Sequence, residues 1–426
     1  MRQAPPVSLP QNTDIKADRA STPNRKRISV FCMDLWTIVP YYTTYLFAAL
    51  RDRGMKIVLG SITYHLDPEC FARHGLRNDP GLLDVVGQRK FRPLVRRALK
   101  LIESCINMLA LLLRFSFHRP DILHVQFLQL LEQGLPFEVW FCRWLQRRGT
   151  KLIYTVHNML PFHTGDRHRK RYERVYRIAD ALICHTAESK RQLIEEFHID
   201  AERTWVIPHG PMFHDFKRPS VSHARQILNF SADECVVLWQ GFVAPYKGVD
   251  FLLEAWKLVQ SARPEARLYI AGSGAASYLA ELRDKVRELA IERTVRLDFR
   301  FVPAQELPVL IQAADVIVYP YREITQSGAL LTGLTFGKPV IATDLPAFRE
   351  TLDGAGLLVS YGDVQGLADA LICLVASPSE RRRLGSQATI AASSWPDIAE
   401  QTEKCYQSAL GAPAEREVNR LKNGAN

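Results

Sequence analysis

The sequence lacks cysteine pairs of the CxxC kind, although its 426 residues include eight cysteines. They are scattered, and most lie within apolar runs, which argues against a zinc site and favours buried thiols in a reducing compartment. The first 27 residues are polar and contain no apolar core of a signal peptide. We therefore expect a cytoplasmic protein that begins with a disordered leader, residues 1–26.

The sequence also lacks an apolar run of the ~20 residues that a membrane-spanning helix needs. Residues 101–113 are strongly apolar, but the run is short and contains Glu103 and Asn107. A basic segment directly precedes it, with Arg89, Lys90, Arg92, Arg96, Arg97 and Lys100. This combination indicates a peripheral contact with an anionic membrane surface at the inner face of the membrane. A core helix with a solvated basic end is the alternative interpretation.

Acidic residues are fewer than basic ones, 45 against 55, so the net charge is +10 and an anionic partner is expected. A second basic segment lies at residues 166–177. Neither segment has the glycine and aromatic pattern of a single-strand RNA binder, and no nucleic-acid-binding motif occurs. We therefore expect no nucleic-acid partner.

From Arg27 onward the pattern alternates between short apolar runs, such as "RISVFCM" and "PDILHVQF", and helical segments. Continuous rather than alternating apolar strands are typical of a parallel sheet that is covered on both faces. The alternation of apolar runs and helical segments is interrupted at residues 211–233, which are polar and contain proline, and then continues. The sequence predicts an α/β protein with two βα domains, residues 27–210 and 234–394, joined by a linker at 211–233.

Four loops of the second domain follow predicted strands, and they should meet at the carboxyl edge of its sheet. They contain Lys247, the glycine pair of "AGSG", the "RFVPAQEL" segment, and Arg322 with Ser327-Gly328. The Ser-Gly pair predicts a helix start whose free N–H groups and dipole bind phosphate, with Lys247 and Arg322 as counter-charges. Each piece alone also fits an ordinary βα turn, or helix capping by Ser327 or Thr325.

Together these segments resemble glycosyltransferase family 4. "GFVAPYKGVDFLLEAW", "LYIAGSG", "RFVPAQELPVLIQAADVIVYPY" and "SGALLTGLTFGKPVIATDLPAFRE" are similar to its C-terminal half, within a branch that has a Ser-Gly-Ala-Leu-Leu helix. "HVQF", "YTVHNMLPFH", "ADALICHTAESKRQL" and "VIPHG" are similar to its N-terminal half. The resemblance implies the GT-B fold, two Rossmann-like domains facing across a cleft. It also implies a final helix, residues 395–411, that crosses back to the first domain before a flexible tail, residues 412–426.

The resemblance further implies a nucleotide-sugar donor, a UDP- or GDP-sugar, bound by the second domain. Lys247 would contact the diphosphate, and Ser327, Gly328 and Ala329 would offer it N–H groups. The residues expected near the nucleotide are Gly241, Gly272, Gly274, Phe301, Val302 and Thr332. A lysine and a helix N-terminus can stabilise a departing diphosphate, and no DxD motif stands beside the candidate site, so we expect no metal and no cofactor.

Two departures from the family pattern concern charged residues. The arginine that usually accompanies the lysine is replaced in its loop by Phe242, Val243 and Ala244, and Arg322 is the candidate substitute. Thr332 stands where the family has a ribose-binding glutamate. Glu323 lies one residue from the place of the sugar-facing glutamate, which Ile324 occupies.

In the first domain the resemblance places His157 beside the reacting sugar, and a histidine that merely caps a loop is the alternative. His163, Asp34 and Gln126 are weaker candidates for acceptor contacts. The family favours retention of configuration, whereas inversion would require a base such as His157 or Asp34.

The leading hypothesis is a metal-independent glycosyltransferase of cell-surface or exopolysaccharide biosynthesis, with a lipid-linked or polysaccharide acceptor. The alternative is a non-catalytic GT-B subunit that positions an active partner at the membrane. A nucleic-acid binder ranks third.

Overall fold

A computed structural model describes residues 27–36, 39–62, 67, 69–87, 89, 91–160, 165–324, 327–391 and 393–411. The predicted leader and tail therefore lie outside the described residues, as do His163 and Thr325. Within this part of the chain, strands and helices alternate almost throughout, and every pair of neighbouring strands is parallel.

The first half forms a six-stranded sheet with helices on both faces. Its elements are β1 (Ser29–Met33), α1 (Tyr41–Asp52), β2 (Lys56–Gly60), α2 (Cys70–Arg73), α3 (Pro93–Phe117), β3 (Ile122–Val125), α4 (Gln129–Glu132), α5 (Phe137–Arg147), β4 (Lys151–Val156), α6 (Arg169–Ile178), β5 (Ala181–Cys184), α7 (Ala187–Glu195) and β6 (Thr204–Val206). Most of these strands are fully buried apolar runs, as the sequence predicts.

The second half repeats this plan with another six-stranded sheet. Its elements are α8 (Val221–Leu228), β7 (Cys235–Gln240), α9 (Val249–Ala262), β8 (Ala266–Ala271), α10 (Ala276–Glu288), β9 (Val295–Asp298), α11 (Leu307–Ala313), β10 (Val316–Tyr319), α12 (Gly328–Thr335), β11 (Val340–Thr343), α13 (Pro346–Leu352), β12 (Gly356–Val359), α14 (Val364–Ala376), α15 (Pro378–Ala391) and α16 (Trp395–Ala409). Helix α8 lies inside the stretch that the sequence assigns to a linker, where Ser220 caps its first turn.

The strand orders are β2-β1-β3-β4-β5-β6 and β12-β11-β10-β7-β8-β9. In each sheet the chain moves outward in one direction and then returns to the other side of its first strand. Such a reversal leaves a crevice at the carboxyl ends of the two central strands. The crevices therefore lie between β1 and β3 and between β7 and β10. The predicted fold class, two Rossmann-like sheets of the GT-B type, is confirmed.

Helix α16 joins the two halves. Trp395 packs against Tyr42 and Tyr45 of α1, and Tyr406 lies within hydrogen-bond distance of His124 on β3, at 2.5 Å. Arg53 also pairs with Glu403 at 2.6 Å. One buried apolar cluster consequently runs from α1 through α16 into the second sheet.

Helix α3 differs from an ordinary surface helix, although Met108, Leu111 and Phe115 pack into the core. Its polar residues Lys100, Glu103, Ser104 and Asn107 are buried, while most of its large apolar side chains face solvent. The alternative interpretation, a core helix with a solvated basic end, holds only for part of α3: Met108, Leu111 and Phe115 pack in the core, whereas most of the other large apolar side chains do not.

Candidate functional site

The crevice of the second sheet is formed by the loops that follow β7 and β10. The β7 loop runs through Gly241 to Lys247 and ends at Gly248. Gly248 has a positive φ, and its lack of a Cβ leaves room for the Pro320 carbonyl oxygen at the end of β10. The backbone N–H of Arg322 donates to the Tyr246 carbonyl at 2.7 Å, so the two loops are fastened to each other. Lys247 and the start of α12 are thereby held at the same edge.

Lys247 is the central cation of this crevice. Its side chain is buried, and its Nζ lies 5.0 Å from the ring centre of Tyr321 and 5.9 Å from that of Tyr246. Burial lowers the pKa of the ammonium group because desolvation disfavours the charged form. Among the described residues, no carboxylate or other acceptor pairs with Nζ. A buried cation without a counter-ion favours an anionic ligand.

The N-terminus of α12 lies at the same crevice. The Ser327 hydroxyl caps it by accepting from the Leu330 N–H at 3.2 Å. No acceptor in the described part of the chain meets the N–H groups of Gly328 and Ala329, and both residues line the cavity described below. Two free donors and a helix dipole make this end a suitable site for phosphate oxygens.

The other predicted charged residues are placed differently. Arg322 is exposed and forms an ion pair with Asp250 at 2.5 Å, while its guanidinium lies over Tyr361. Its charge is therefore partly compensated before any ligand binds. Glu323 is also exposed. Thr332 is buried and donates its hydroxyl to the Gly328 carbonyl at 2.6 Å, which leaves the oxygen lone pairs available as acceptors.

The glycines bring two loops together. A Cβ on Gly272 would meet the Gly241 carbonyl oxygen at 1.7 Å, and one on Gly274 would meet the Val243 carbonyl oxygen at 2.3 Å. Gly241 itself would place a Cβ 3.1 Å from Lys247 Nζ. From the sequence, the role predicted for these glycines is to let a ligand approach the backbone closely. The structure shows that the backbone of the β7 loop approaches the β8 loop at these positions.

A cavity of about 550 Å³ opens between the two halves at this edge. The predicted residues that line it are Gly241, Gly272, Phe301, Val302, Gly328, Ala329 and Thr332. Lys247, Ser327 and Gly274 are not among the residues that line it. On the opposite side the lining includes Tyr41 of α1 and Met212 and Phe213 of the connecting segment. Sequence reasoning missed these three residues, because nothing in their local pattern distinguishes them from core residues.

His157 follows β4 at the crevice of the first sheet. Its Nε2 lies 2.7 Å from Gln126 Oε1, its Nδ1 lies 3.3 Å from His185 Nε2, and its ring stacks on Phe127. Burial, with His185 nearby, holds the pKa of His157 well below its usual range, so the ring is neutral near pH 7. A neutral histidine can accept or donate one proton.

Sequence reasoning missed a cluster of rings around His157. His185 and His209 pack on Tyr42, and His209 lies close to Trp395 of α16. Burial lowers the pKa of His185 to about 4 and that of His209 to about 3. Only the "CHT" and "PHG" ends of two predicted strands hinted at this convergence.

Asp34 and Gln126, the weaker candidates, lie at the carboxyl ends of β1 and β3, and both are buried. Thr43 and Gln129 donate to Asp34 at 3.4 Å each. Across the described residues, no group of three or more His, Cys, Asp or Glu side chains is arranged to hold a metal ion. Metal independence stays a prediction.

Comparison with protein families gives two matches. The model for "Glycosyltransferase Family 4" matches residues 39–210, and the model for "Glycosyl transferases group 1" matches residues 234–377. Together they cover most of both sheets. No helix within the described ranges is long and apolar enough to cross a membrane.

Similar proteins include D-inositol 3-phosphate glycosyltransferases. That of Thermobispora bispora is 29% identical over 313 residues, 68% of this chain and 71% of the relative. That of Geodermatophilus obscurus is 28% identical over 344 residues, 74% of each chain.

Among solved structures, sucrose-phosphate synthase from Thermosynechococcus elongatus superposes with a TM-score of 0.69 at 19% identity, over 91% of this chain and 100% of that chain. Anabaena Alr3699/HepE in complex with UDP and glucose gives a TM-score of 0.68 at 19% identity, over 90% of this chain and 100% of that chain. At these identities the likeness concerns the fold.

Proposed function

Because the chain belongs to the glycosyltransferases of the GT-B type, we propose that it transfers a sugar from a UDP- or GDP-sugar to an acceptor. One observation carries the proposal: the buried ammonium group of Lys247 has no acceptor among the described residues and lies at the same crevice as the capped N-terminus of α12. A nucleoside diphosphate supplies the negative charge that this arrangement lacks.

The chemistry follows from charge. When the bond between the sugar and the diphosphate breaks, negative charge grows on the leaving phosphate. Lys247 and the N–H groups of Gly328 and Ala329 are fixed donors that stabilise this charge more than they stabilise the bound donor, and such preorganised groups lower the barrier. Phe301 and Val302, further along the cavity wall, would flank the base.

The acceptor approaches from the first sheet, where Asp34, Gln126 and His157 lie at the carboxyl edge. We propose a lipid-linked or glycan acceptor and retention of configuration. A neutral His157 that already contacts Gln126 and His185 is suited to positioning a sugar hydroxyl. In a retaining reaction the leaving phosphate itself can receive the proton of the acceptor. The proposal includes no metal ion.

The test is a panel of UDP- and GDP-sugars with the purified full chain, read by calorimetry for binding and by release of nucleotide for turnover. Lipid-linked glycans and inositol 3-phosphate serve as acceptors, the latter because the relatives carry that substrate in their names. NMR of the product gives the anomeric configuration. Absence of both binding and turnover with every donor would refute the proposal.

A second candidate is a non-catalytic subunit that binds the donor without turnover. It is favoured by the ion pair of Arg322 with Asp250 and by the exposed position of Glu323, which leave Lys247 with less assistance than the family pattern provides. Donor binding with no turnover on any acceptor, together with turnover once a partner protein is added, would establish this candidate in place of the enzyme.

A further inference from the structure

More than half of the exposed large apolar side chains in the described chain lie between Leu83 and Trp140. On α3 they are Leu94, Val95, Ile102, Ile106, Leu109, Leu113 and Phe117. From Val95 onward they recur at intervals of three, four or seven residues, so they form one stripe along the helix. Leu113 is 62% and Phe117 is 83% exposed. Soluble monomers rarely leave so continuous a stripe uncovered.

The polar residues of α3 hold this orientation from beneath. Glu103 accepts from the N–H groups of Val85 and Val86, and Asn107 both accepts from and donates to the backbone of Leu83. Lys100, 1% exposed, pairs with Glu103 at 3.0 Å. Turning the apolar stripe inward would expose or unpair these groups, which costs more than leaving the stripe outside. The exposed stripe is therefore a built feature of the fold.

Helix α5 extends the surface beside α3. Phe137 and Trp140 are exposed, and Trp140 at 60% is the most exposed aromatic residue of α5. Between the two helices runs a groove of about 360 Å³, lined entirely by apolar or sulfur-containing side chains: Cys105, Met108, Leu109, Leu112, Phe137, Trp140, Phe141 and Trp144. We call this surface, the α3 stripe with Phe137, Trp140 and the groove, the α3–α5 face.

The charge around the α3–α5 face is positive. Arg92 on the N-terminal side and Arg143 and Arg147 on α5 are exposed, and none pairs with a described acidic residue. The acidic residues of these segments are unavailable to oppose them, since Glu103 and Glu138 are buried and Asp84 pairs with Lys100. An apolar surface bordered by unpaired arginines matches an anionic bilayer, with hydrocarbon facing the stripe and lipid phosphates facing the guanidinium groups.

The face also has a defined relation to the cleft. Helix α3 runs back across the sheet to β3, so its N-terminal end lies towards the carboxyl edge that carries Asp34 and Gln126. Trp36, from the loop after β1, donates to Ser104 of α3 at 2.7 Å and ties that loop to the helix.

We propose that the α3–α5 face inserts into the interface of an anionic lipid bilayer, so that a lipid-linked acceptor enters the cleft past the N-terminal end of α3. The inference rests on the proposed function for the identity of the acceptor. It extends that function by naming the surface that inserts into the bilayer and the side of the cleft at which the acceptor enters. The stripe lies in the acyl region, while Trp140 and the arginines lie at the level of the head groups.

Sedimentation of the full chain with vesicles tests the proposal. Vesicles of equimolar phosphatidylglycerol and phosphatidylcholine should bind the protein, and pure phosphatidylcholine should bind it at least about tenfold more weakly. Leu109→Asp with Leu113→Asp should weaken binding by about a hundredfold or more, because two apolar side chains that would enter the bilayer are lost. Val221 and Ile227 are exposed apolar residues of α8, so Val221→Asp with Ile227→Asp is the matched control and should leave binding unchanged.

The arginines receive their own pair of variants. Arg143→Glu with Arg147→Glu should abolish the preference for the anionic lipid, whereas Arg293→Glu with Arg382→Glu, exposed elsewhere, should retain it. Nucleotide binding is measured by calorimetry without vesicles. Nucleotide binding without vesicle binding overturns the α3–α5 inference and leaves the transferase proposal intact. Vesicle binding without nucleotide binding supports the face and counts against the transferase. A concentration-dependent dimer that the Leu109 and Leu113 variant abolishes, with no vesicle binding, overturns the inference in favour of a self-association surface.

Discussion

At the scale of single residues, the site depends on Lys247, a cation that the fold buries before any anion is present. Replacing it by alanine removes the positive charge opposite the leaving phosphate. We expect Lys247→Ala to lower kcat by about two to three orders of magnitude, the range seen when one preorganised donor is lost. Release of nucleotide in single-turnover experiments measures this.

The matched control is Lys257→Ala on α9, which removes a lysine that forms no ion pair with a described residue. It should leave kcat within twofold of the unmodified protein, a margin of about 0.4 kcal/mol. Equal rates for Lys247→Ala and Lys257→Ala would mean that the buried cation does not act on the leaving group.

Gly272 is a second residue whose substitution should change nucleotide binding. Its φ of +154° is already unfavourable for other residues, and an added Cβ would meet the Gly241 carbonyl oxygen at 1.7 Å. Gly272→Ala should therefore displace the β7 loop and weaken nucleotide binding by at least about tenfold.

Gly362 provides the comparison, because its φ is +90° but a Cβ there meets nothing within 4 Å. Gly362→Ala should cost only the backbone strain, roughly 1 kcal/mol of unfolding free energy, with nucleotide affinity unchanged. If both variants bind nucleotide normally, the contact between the loops is not needed for the site.

At the scale of elements, helix α12 presents its N-terminus to the ligand, and Ser327 caps it. Ser327→Ala should lower stability by about 1 kcal/mol, the usual value of a cap, and should also weaken nucleotide binding because the first turn frays. Ser220→Ala removes an equivalent cap from α8, where Ser220 accepts from the His223 N–H at 3.3 Å. We expect it to lose the same stability with no change in affinity. Thermal unfolding and calorimetry separate the two effects, and identical affinities for the two variants would dismiss α12 as a phosphate site.

The start of α12 was predictable from sequence, because serine followed by glycine behind a buried strand is a local signal for both cap and helix. The parallel strands were predictable for the same reason, as short continuous apolar runs. The partners of Arg322 and His157 were not predictable. Asp250 reaches Arg322 from the first turn of α9, and His185 reaches His157 from the loop after β5. No local periodicity encodes contacts that the sheet order creates. The exposed stripe of α3 was only partly predictable. The sequence indicated a basic helix with an apolar face, but only the structure shows that Glu103 and Asn107 turn inward.

At the scale of the whole molecule, four histidines with lowered pKa values make stability depend on pH. Burial lowers the pKa of His124 to about 3, of His185 to about 4 and of His209 to about 3, and it also depresses that of His157. Each remains neutral when folded but takes up a proton near pH 6.5 when unfolded. Their contribution to the free energy of unfolding is complete above pH 6.5. It is lost as the pH falls towards the pKa values of the folded state.

At pH 5 this amounts to about 2 kcal/mol for each of His124, His185 and His209. Glu138, whose pKa burial raises to about 8, acts in the opposite direction and offsets roughly one of them. We therefore expect Tm to fall clearly between pH 7 and pH 5. His185→Gln should flatten this dependence, whereas His118→Gln, which alters an exposed histidine, should preserve it. A Tm that stays constant from pH 7 to pH 5 would contradict the expectation.

Helix α16 has a consequence for how the protein is made. The ribosome releases the first sheet early, yet Trp395 and Tyr406, which pack on α1 and β3, belong to the last described helix. The first half therefore emerges from the ribosome with part of its apolar surface and His124 uncovered. This surface stays uncovered while the entire second sheet is synthesised. The final folding step of the first half follows the synthesis of α16, so the two halves become native together rather than in turn.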